Sequence, residues 1–162
     1  MATLIDANEI FFTPFEPKLT NRGIMYVEGV PTWMIKGFSR PSPSSDAVEL
    51  PHINVVRKTK GKTTWGDVTF TMYDPIVPSG AQTMMEWVRL QHESVTGRDG
   101  YSDFYKKDIT INLLGPVGDI VEEWTLKGAF PTAVDFGSVD WSGADPFEIS
   151  VTLSIDYAIL QF

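Results

Sequence analysis

The side chains with catalytic potential in this chain are few, and their spacing does not assemble a site. The two histidines, His52 and His92, lie forty residues apart with neither an H-x-x-x-H nor an H-E-x-x-H pattern to hold a metal. Glu122 and Glu123 offer the pair of carboxylates that glycoside hydrolysis uses, but neighbouring residues of a strand project to opposite sides of its sheet. Asp6, Asn8 and Glu9 space their oxygens loosely like the start of a calcium loop, without the rest of an EF-hand. Arg57-Lys58-Thr59-Lys60 has charge for a phosphate, yet no Gly-rich helix start follows it. No G-x-S-x-G elbow or P-loop occurs, and the serines gather in a loop. The expectation is a protein that is not an enzyme, with no catalytic residue, no cofactor and no metal.

Composition points the same way. A length of 162 residues with 43% apolar side chains fits one domain, 1–162, with a core of its own. Without cysteine there is no disulfide framework or thiolate metal site, which suits a reducing compartment. The start of the chain lacks a basic region followed by an apolar run, and no stretch is long enough for a membrane span, so neither secretion by signal peptide nor a membrane anchor is expected. A net charge of −8 argues against gripping nucleic acid. It leaves room for a wall past which DNA moves, since a basic wall would trap the polyanion by counterion release.

The strongest periodic signal lies near the C-terminal end. Ile149, Val151, Leu153, Ile155 and Tyr157 alternate with Glu148, Ser150, Thr152, Ser154 and Asp156, so a strand is expected to run unbroken over these residues. Its polar side is a row of small hydroxyls closed by carboxylates. A second strand, Trp65 to Tyr73, repeats the design, with Val68, Phe70 and Met72 against Asp67, Thr69 and Thr71. An ordinary solvated sheet face and a functional smooth wall both fit these rows.

The remaining elements follow from local chemistry. Residues 1–22, with Ile10, Phe11 and Phe12 between polar residues and prolines, read as an arm that packs on its own domain or on a neighbour. Ile24 to Phe38 reads as two short strands around Glu28-Gly29-Val30-Pro31, with Trp33 and Ile35 alternating against Met34 and Lys36. Ser39 to Asp46, with its prolines and serines, reads as a surface loop, followed by a strand Val48 to Lys60 and a tight turn at Gly61-Lys62. Ser79 is the expected N-cap of a helix Ala81 to Val95 that turns Met84, Trp87, Val88 and Val95 inward and stops at Gly97. Lys107 to Leu114 and Asp119 to Lys127 should form a hairpin across Gly115-Pro116-Val117-Gly118, placing Glu122, Trp124 and Leu126 on one side. Many strands and one helix predict a mainly β fold, a sandwich or partly closed barrel of antiparallel sheets covered on one side by the helix.

Three blocks, Leu126-Lys127-Gly128-x-x-Pro131-Thr132-x-Val134, then Asp140-Trp141, then Val151-Thr152-Leu153-x-x-Asp156-Tyr157, occur in this order. With them the sequence resembles the tail tube proteins of contractile-tailed bacteriophages. The likeness extends more loosely upstream to the strand with Trp65 and the helix with Trp87, and leaves out the first two dozen residues.

The resemblance implies two packed, roughly orthogonal sheets flanked by a helix. It further implies hexameric rings with a continuous luminal β-barrel, stacked into a hollow tube inside a contractile sheath. The implied role is structural: a virion tail component, assembled in the host cytoplasm, that conducts DNA during ejection. Partners implied are further copies of the chain, the tail sheath, baseplate and tail terminator proteins, and a tape measure protein in the lumen during assembly. DNA would pass without specific binding. Asp67, Thr69, Thr71, Glu148, Ser150, Thr152, Ser154 and Asp156 would face the lumen. The arm 1–22 and the loop and hairpin 39–62 would contact neighbouring subunits through Ile10, Phe11, Phe12, Val48, Leu50, Ile53, Val55, Arg57, Lys58 and Lys60. Alternatives with the same fold are the inner tube of a bacteriocin or extracellular injection system, or a baseplate-proximal initiator. An alternative of another class is a monomeric binding module using Trp33 or Trp141 as an aromatic platform.

Overall fold

The apolar rows of the two strongest strands meet in register and found the core: Val68 lies opposite Leu153, Phe70 opposite Val151 and Met72 opposite Ile149. The computed structural model describes residues 14–162, so Ile10, Phe11, Phe12 and the first half of the arm lie outside the described residues. In chain order the strands are β1 (Gly23–Tyr26), β2 (Ile35–Phe38), β3 (Pro43–His52), β4 (Val55–Trp65), β5 (Val68–Tyr73), β6 (Lys107–Leu114), β7 (Ile120–Asp135), β8 (Glu148–Ser154) and β9 (Tyr157–Leu160). The helices are α1 (Gly80–Gln91) and the single turn α2 (Ser102–Tyr105).

Two antiparallel layers share the long strand β7. Its first half pairs with β6 and β9, and β6 pairs with β1. Its second half pairs with β8, which continues through β5 to β2. Met25, Ile109, Ile111, Leu126 and Ala158 from the first layer are buried against Phe70, Met72, Ile149, Val151 and Leu153 from the second. Each such side chain contributes about 1.5–3 kcal/mol by leaving water. Met84 and Trp87 of α1 join this core, and the Trp87 indole donates to the Tyr105 carbonyl at 2.7 Å. The chain is therefore mainly β with one principal helix, as its periodicity predicts.

β7 serves both layers because its inward phase changes midway. Leu126 points inward on one side of Gly128 and Ala129 and Pro131 on the other, a shift that strict alternation forbids. Gly128 absorbs it with φ +66°, as the left-handed residue of a bulge. The facing strand bends at the same level, where the Asp156 amide donates to the Lys127 carbonyl at 3.0 Å. The expected unbroken alternation through Tyr157 is thereby corrected. The strand ends at Ser154, and after the bend Ala158 turns inward and Tyr157 outward.

Other expectations are corrected by pairing that local sequence does not encode. The two short strands expected around Glu28-Gly29-Val30-Pro31 are present as β1 and β2, but they sit in different layers, and Trp33 and Met34 do not alternate in the second strand: they lie in a 3-10 turn, Thr32–Met34, in which Met34 is buried and Trp33 exposed. The loop Ser39 to Asp46 is shorter than expected, because Pro43 opens β3 and the Ser45 and Thr63 hydroxyls bond across the pair at 2.8 Å. The turn lies at Ile53-Asn54 rather than Gly61-Lys62, and β4 runs through both of the latter. Gly61 instead marks a bulge, where a Cβ would meet the Asp46 carbonyl and a Val48 methyl at 3.1 Å each.

α1 starts as predicted, with the Ser79 hydroxyl accepting from the Gln82 amide, and Asp74 adds a second cap by accepting from the Gly80 and Ala81 amides. It stops at Gln91, short of the expected Val95. The chain folds back so that the Gly100 amide donates to the Gln91 carbonyl at 2.9 Å, which leaves Val95 exposed and puts Gly97 in the following turn.

Glu122 is the principal buried charge among the described residues. It accepts from Lys18, from the Trp124 indole, and from Arg40 at 3.3 Å, so one carboxylate ties β7 to the N-terminal segment and to the segment leading into β3. Burial pushes its pKa up, but the bonds from Lys18, Trp124 and Arg40 outweigh this and hold it below the ordinary value of 4.5. Glu123, its neighbour, points to the other side of the sheet and pairs through its backbone with the end of the chain.

Two predictions follow from this frame. Gly128→Ala puts a methyl where Asp156 Oδ2 would lie 2.1 Å away, at a positive φ. Thermal unfolding should show a loss of about 1–3 kcal/mol, and the double variant with Asp156→Ala should lose less than the two single losses together. For Glu122, a lowered folded-state pKa means that its contribution is present in full above pH 4.5 and is lost as pH falls through the folded value. Glu122→Gln should cost about 1–3 kcal/mol near neutrality. It should also flatten the fall of stability on the acid side, as read by denaturant titrations from pH 7 to 3.

Candidate functional site

Two surfaces gather the residues singled out from sequence. The first is the outer face of the layer β2-β5-β8-β7. Thr69 stands opposite Thr152 and Thr71 opposite Ser150, while Ala133 and Asp135 of β7 flank Thr152 and Ser150 from the other side. Gly37 lies opposite Thr71, and the Ser39 hydroxyl accepts from the Thr69 amide at 2.9 Å. The result is a four-stranded face of glycine, alanine and small hydroxyls, with the Asp135 carboxylate on its β7 edge. Side chains of this size keep the wall level, and their hydroxyls stay hydrated or bond to the sheet itself, as Thr132 does to the Thr152 carbonyl at 3.2 Å.

Charge sits at the borders of this face. Asp67 precedes β5 and, with Ser154 at the same end of β8, marks one border; both follow the register of Val68 with Leu153. At the other border Glu148 accepts from Lys36 at 2.5 Å, and this bond holds the lysine pKa above its ordinary value of 10.5. The Lys36 ammonium also lies 5.8 Å from the centre of the Tyr73 ring. Asp156 leaves the row: it lies beyond the bend and takes both its hydrogen bonds, 2.9 Å each, from Lys106.

The second surface is the ribbon formed by β3 and β4, which among the described residues pair only with each other. Val48, Leu50 and Val55 share one of its faces with Arg57, and Lys58 and Lys60 project from the other beside Glu49 and Ala47. The turn residue Ile53 is 95% exposed. All of β3 and most of β4 are exposed, and among the described residues the ribbon packs on the body at its root, where Trp65 lies against the core. A lone two-stranded ribbon is marginal in water.

Trp33 and Trp141, for which core roles are compatible with the sequence, are both exposed, Trp141 at 98%. They stand on separate turns rather than on a common platform. The Glu122 cluster was not foreseen, since its cations come from residues 104 and 82 positions away.

No protein-family model and no curated protein matches this sequence. Solved structures do. A chain of the tube-terminating cap of the anti-feeding prophage superposes with a TM-score of 0.74 at 20% identity, covering 97% of this chain and 99% of that one. A chain of the sheath/tube terminator of the extracellular contractile injection system PVC, in its extended state, gives 0.74 at 23% identity, over 93% and 100%. A chain of the PVC sheath-tube complex gives 0.64 at 20% identity, over 99% of each. The chain has the fold found in these tube and tube-terminator assemblies of contractile injection systems, in line with its sequence resemblance to tail tube proteins.

Proposed function

We propose that this chain is the structural subunit of a hollow tube, built of stacked hexameric rings within a contractile tail, whose lumen conducts DNA. One observation carries the reading: the layer β2-β5-β8-β7 has a level polar face and, among the described residues, two unpaired edges. β2 bonds only to β5, and the Phe130–Asp135 half of β7 bonds only to β8. Open edges invite pairing with another chain. The four strands alternate in direction, so the β2 edge of one copy meets the β7 edge of the next in antiparallel sense, and the pattern continues around a ring without a mismatch.

Six copies would close a barrel of about 24 strands. At a spacing of roughly 4.8 Å and a tilt of about 40° its backbone diameter is on the order of 50 Å. The polar face would line the inside, with Thr69, Thr71, Ser150 and Thr152 at its centre and Asp67, Ser154 and Glu148 at its margins. Asp156 belongs instead to the bend. The ribbon β3/β4, with Val48, Leu50, Ile53, Val55, Arg57, Lys58 and Lys60, would bind neighbouring subunits. Sheath, baseplate and terminator proteins would meet the outside and ends of the tube, and a tape measure protein its lumen during assembly. A second reading, a ring that terminates such a tube, is favoured by the better superposition on the two terminator assemblies than on the sheath-tube complex.

Negative-stain electron microscopy of the purified chain tests both readings. A tube subunit should form six-fold rings and hollow filaments, a terminator six-fold rings alone, and particles without a central channel would refute both. The lumen assignment has its own test in Thr152→Lys. This adds one cation per copy on an exposed face without touching the core. Variant assemblies should form as before and retain short DNA duplexes at low salt, releasing them as the screening length falls toward about 10 Å near 0.1 M. Equal retention by variant and parent at every ionic strength would place Thr152 outside the lumen.

A further inference from the structure

The side of the sandwich bounded by β1 and β2 is open. Among the described residues β1 bonds only to β6 and β2 only to β5, and a groove runs between these two edge strands. Its floor is the contact of Gly23 with the Phe38 ring, so close that a Cβ on Gly23 would stand 2.9 Å from the ring. One part of the groove, about 240 Å³, is an apolar slot walled by Ile24, Met25, Trp33 and Ile35. The adjoining part, about 320 Å³, carries Lys18, Lys36 and Arg40. Gly23, Lys36 and Phe38 belong to both parts. Among the described residues no carboxylate lines either. Lys18 and Arg40 share the single carboxylate of Glu122, so their charge is only half answered. Lys36 gives one hydrogen bond to Glu148, and an ammonium has three donors.

The opposite flank supplies a matching shape and charge. There the Phe130–Asp135 half of β7 leads directly into the loop 136–147. This loop exposes Val139 and Trp141, the latter at 98%, so the indole gains nothing within its own chain. Tryptophan is also the side chain that contributes most when a partner encloses it. The loop contains Asp140 and Asp145, and no lysine or arginine occurs from residue 128 to residue 162. Asp140 is held ionised by hydrogen bonds from the Ser142 amide and hydroxyl.

Strand direction decides whether loop and groove can meet. In the ring reading the Phe130–Asp135 edge of one copy runs antiparallel to β2 of the next, which sets its Asp135 end beside the Ile35 end of β2. The loop then leaves its strand next to Trp33, Ile35 and Lys36 of the neighbour, at the apolar slot. We propose that the loop 136–147 of one copy seats Trp141 in the groove between β1 and β2 of the next copy, with Asp140 against Lys36. The proposal rests on the ring reading and adds a keyed side-chain contact to the pairing of strands. Backbone pairing accepts any free edge. An indole in a slot and a carboxylate on an ammonium fix which edge joins, and in which register.

The chain has no cysteine, so a reporter pair can be introduced without interference. Thr32→Cys stands on the exposed rim of the slot and Val139→Cys in the exposed loop. Assemblies of the double variant treated with a short bismaleimide should give a ladder of linked copies that stops at six. Trp141→Ser should melt at the parent's temperature while raising the concentration at which rings form by about tenfold or more. Asp140→Asn keeps an acceptor for Ser142 but removes the charge, and should raise that concentration at low salt and much less at high salt. Rings formed by Trp141→Ser at the parent's concentration would overturn the proposal. So would rings without cross-links, which leave the groove to another occupant such as the chain's own residues 1–13, and a ladder that runs past six, which puts the loop between rings. The ring reading survives each of these outcomes, whereas a parent chain that forms no rings refutes both.

Discussion

A single strand has to belong to two sheets that face each other, and the rest of the fold depends on how β7 meets that demand. Side chains of a strand alternate strictly, so a straight β7 would bury its residues in one layer and expose them in the other. The phase change at Gly128 removes the conflict, and the bend at Asp156 repeats it on the partner strand. With both in place, Leu126 and Ala129 can each face the core although they are three residues apart. The Lys106 pair then holds Asp156 at the outside of the corner. Closing the layers in this way leaves one of them with a bare outer face and bare edges.

The parts legible in the sequence were those set by local periodicity. β5, β6 and β8 could be read from alternation alone, and the start of α1 from Ser79. Thr69, Thr71, Ser150 and Thr152 could be assigned to one polar side before their pairing was known, because period two fixes the side within each strand. Pairing itself was not legible. Nothing between Ile24 and Phe38 reveals that the two strands there part to different layers. Gly61-Lys62 looked like a turn because glycine is the commonest turn residue, while the true turn uses an isoleucine in a conformation that isoleucine disfavours. Alternation puts Asp156 in the polar row, and nothing in the sequence signals the bend at Asp156 that takes it out. Glu122 beside Glu123 resembles a catalytic carboxylate pair in the sequence because its partners Lys18 and Arg40 are remote in the chain and meet it only in the folded structure.

Among the described residues the molecule divides into a packed body and a ribbon that touches the core at its root, through Trp65. The body has its charges neutralised at the places where strain or burial would be costly, as with Glu122, Glu148 and Asp156. Among the described residues the ribbon keeps most of its charge unpaired; its ion pair there, Lys58 with Glu49, spans 3.8 Å between exposed groups and is worth little. This contrast fits a subunit that folds first and acquires its remaining contacts by association. The Glu122 cluster links the two parts, since Arg40 stands at the entrance to the ribbon and Lys18 in the segment before β1.

The composition of the ribbon also bears on how a solution of free subunits keeps from clotting. Each of its long strands presents an outer row of unpaired amides and carbonyls, the template on which strands of other molecules add indiscriminately. Pro43 and Pro51 delete donors from one row, the bulge at Gly61 distorts the other, and Lys58, Lys60 and Lys62 set like charges along it. Sheet extension from this element is thus blocked from both sides, while its faces and tip stay available. A concentrated stock of the chain can therefore be held back from amyloid-like growth by the same element that is most ready to bind.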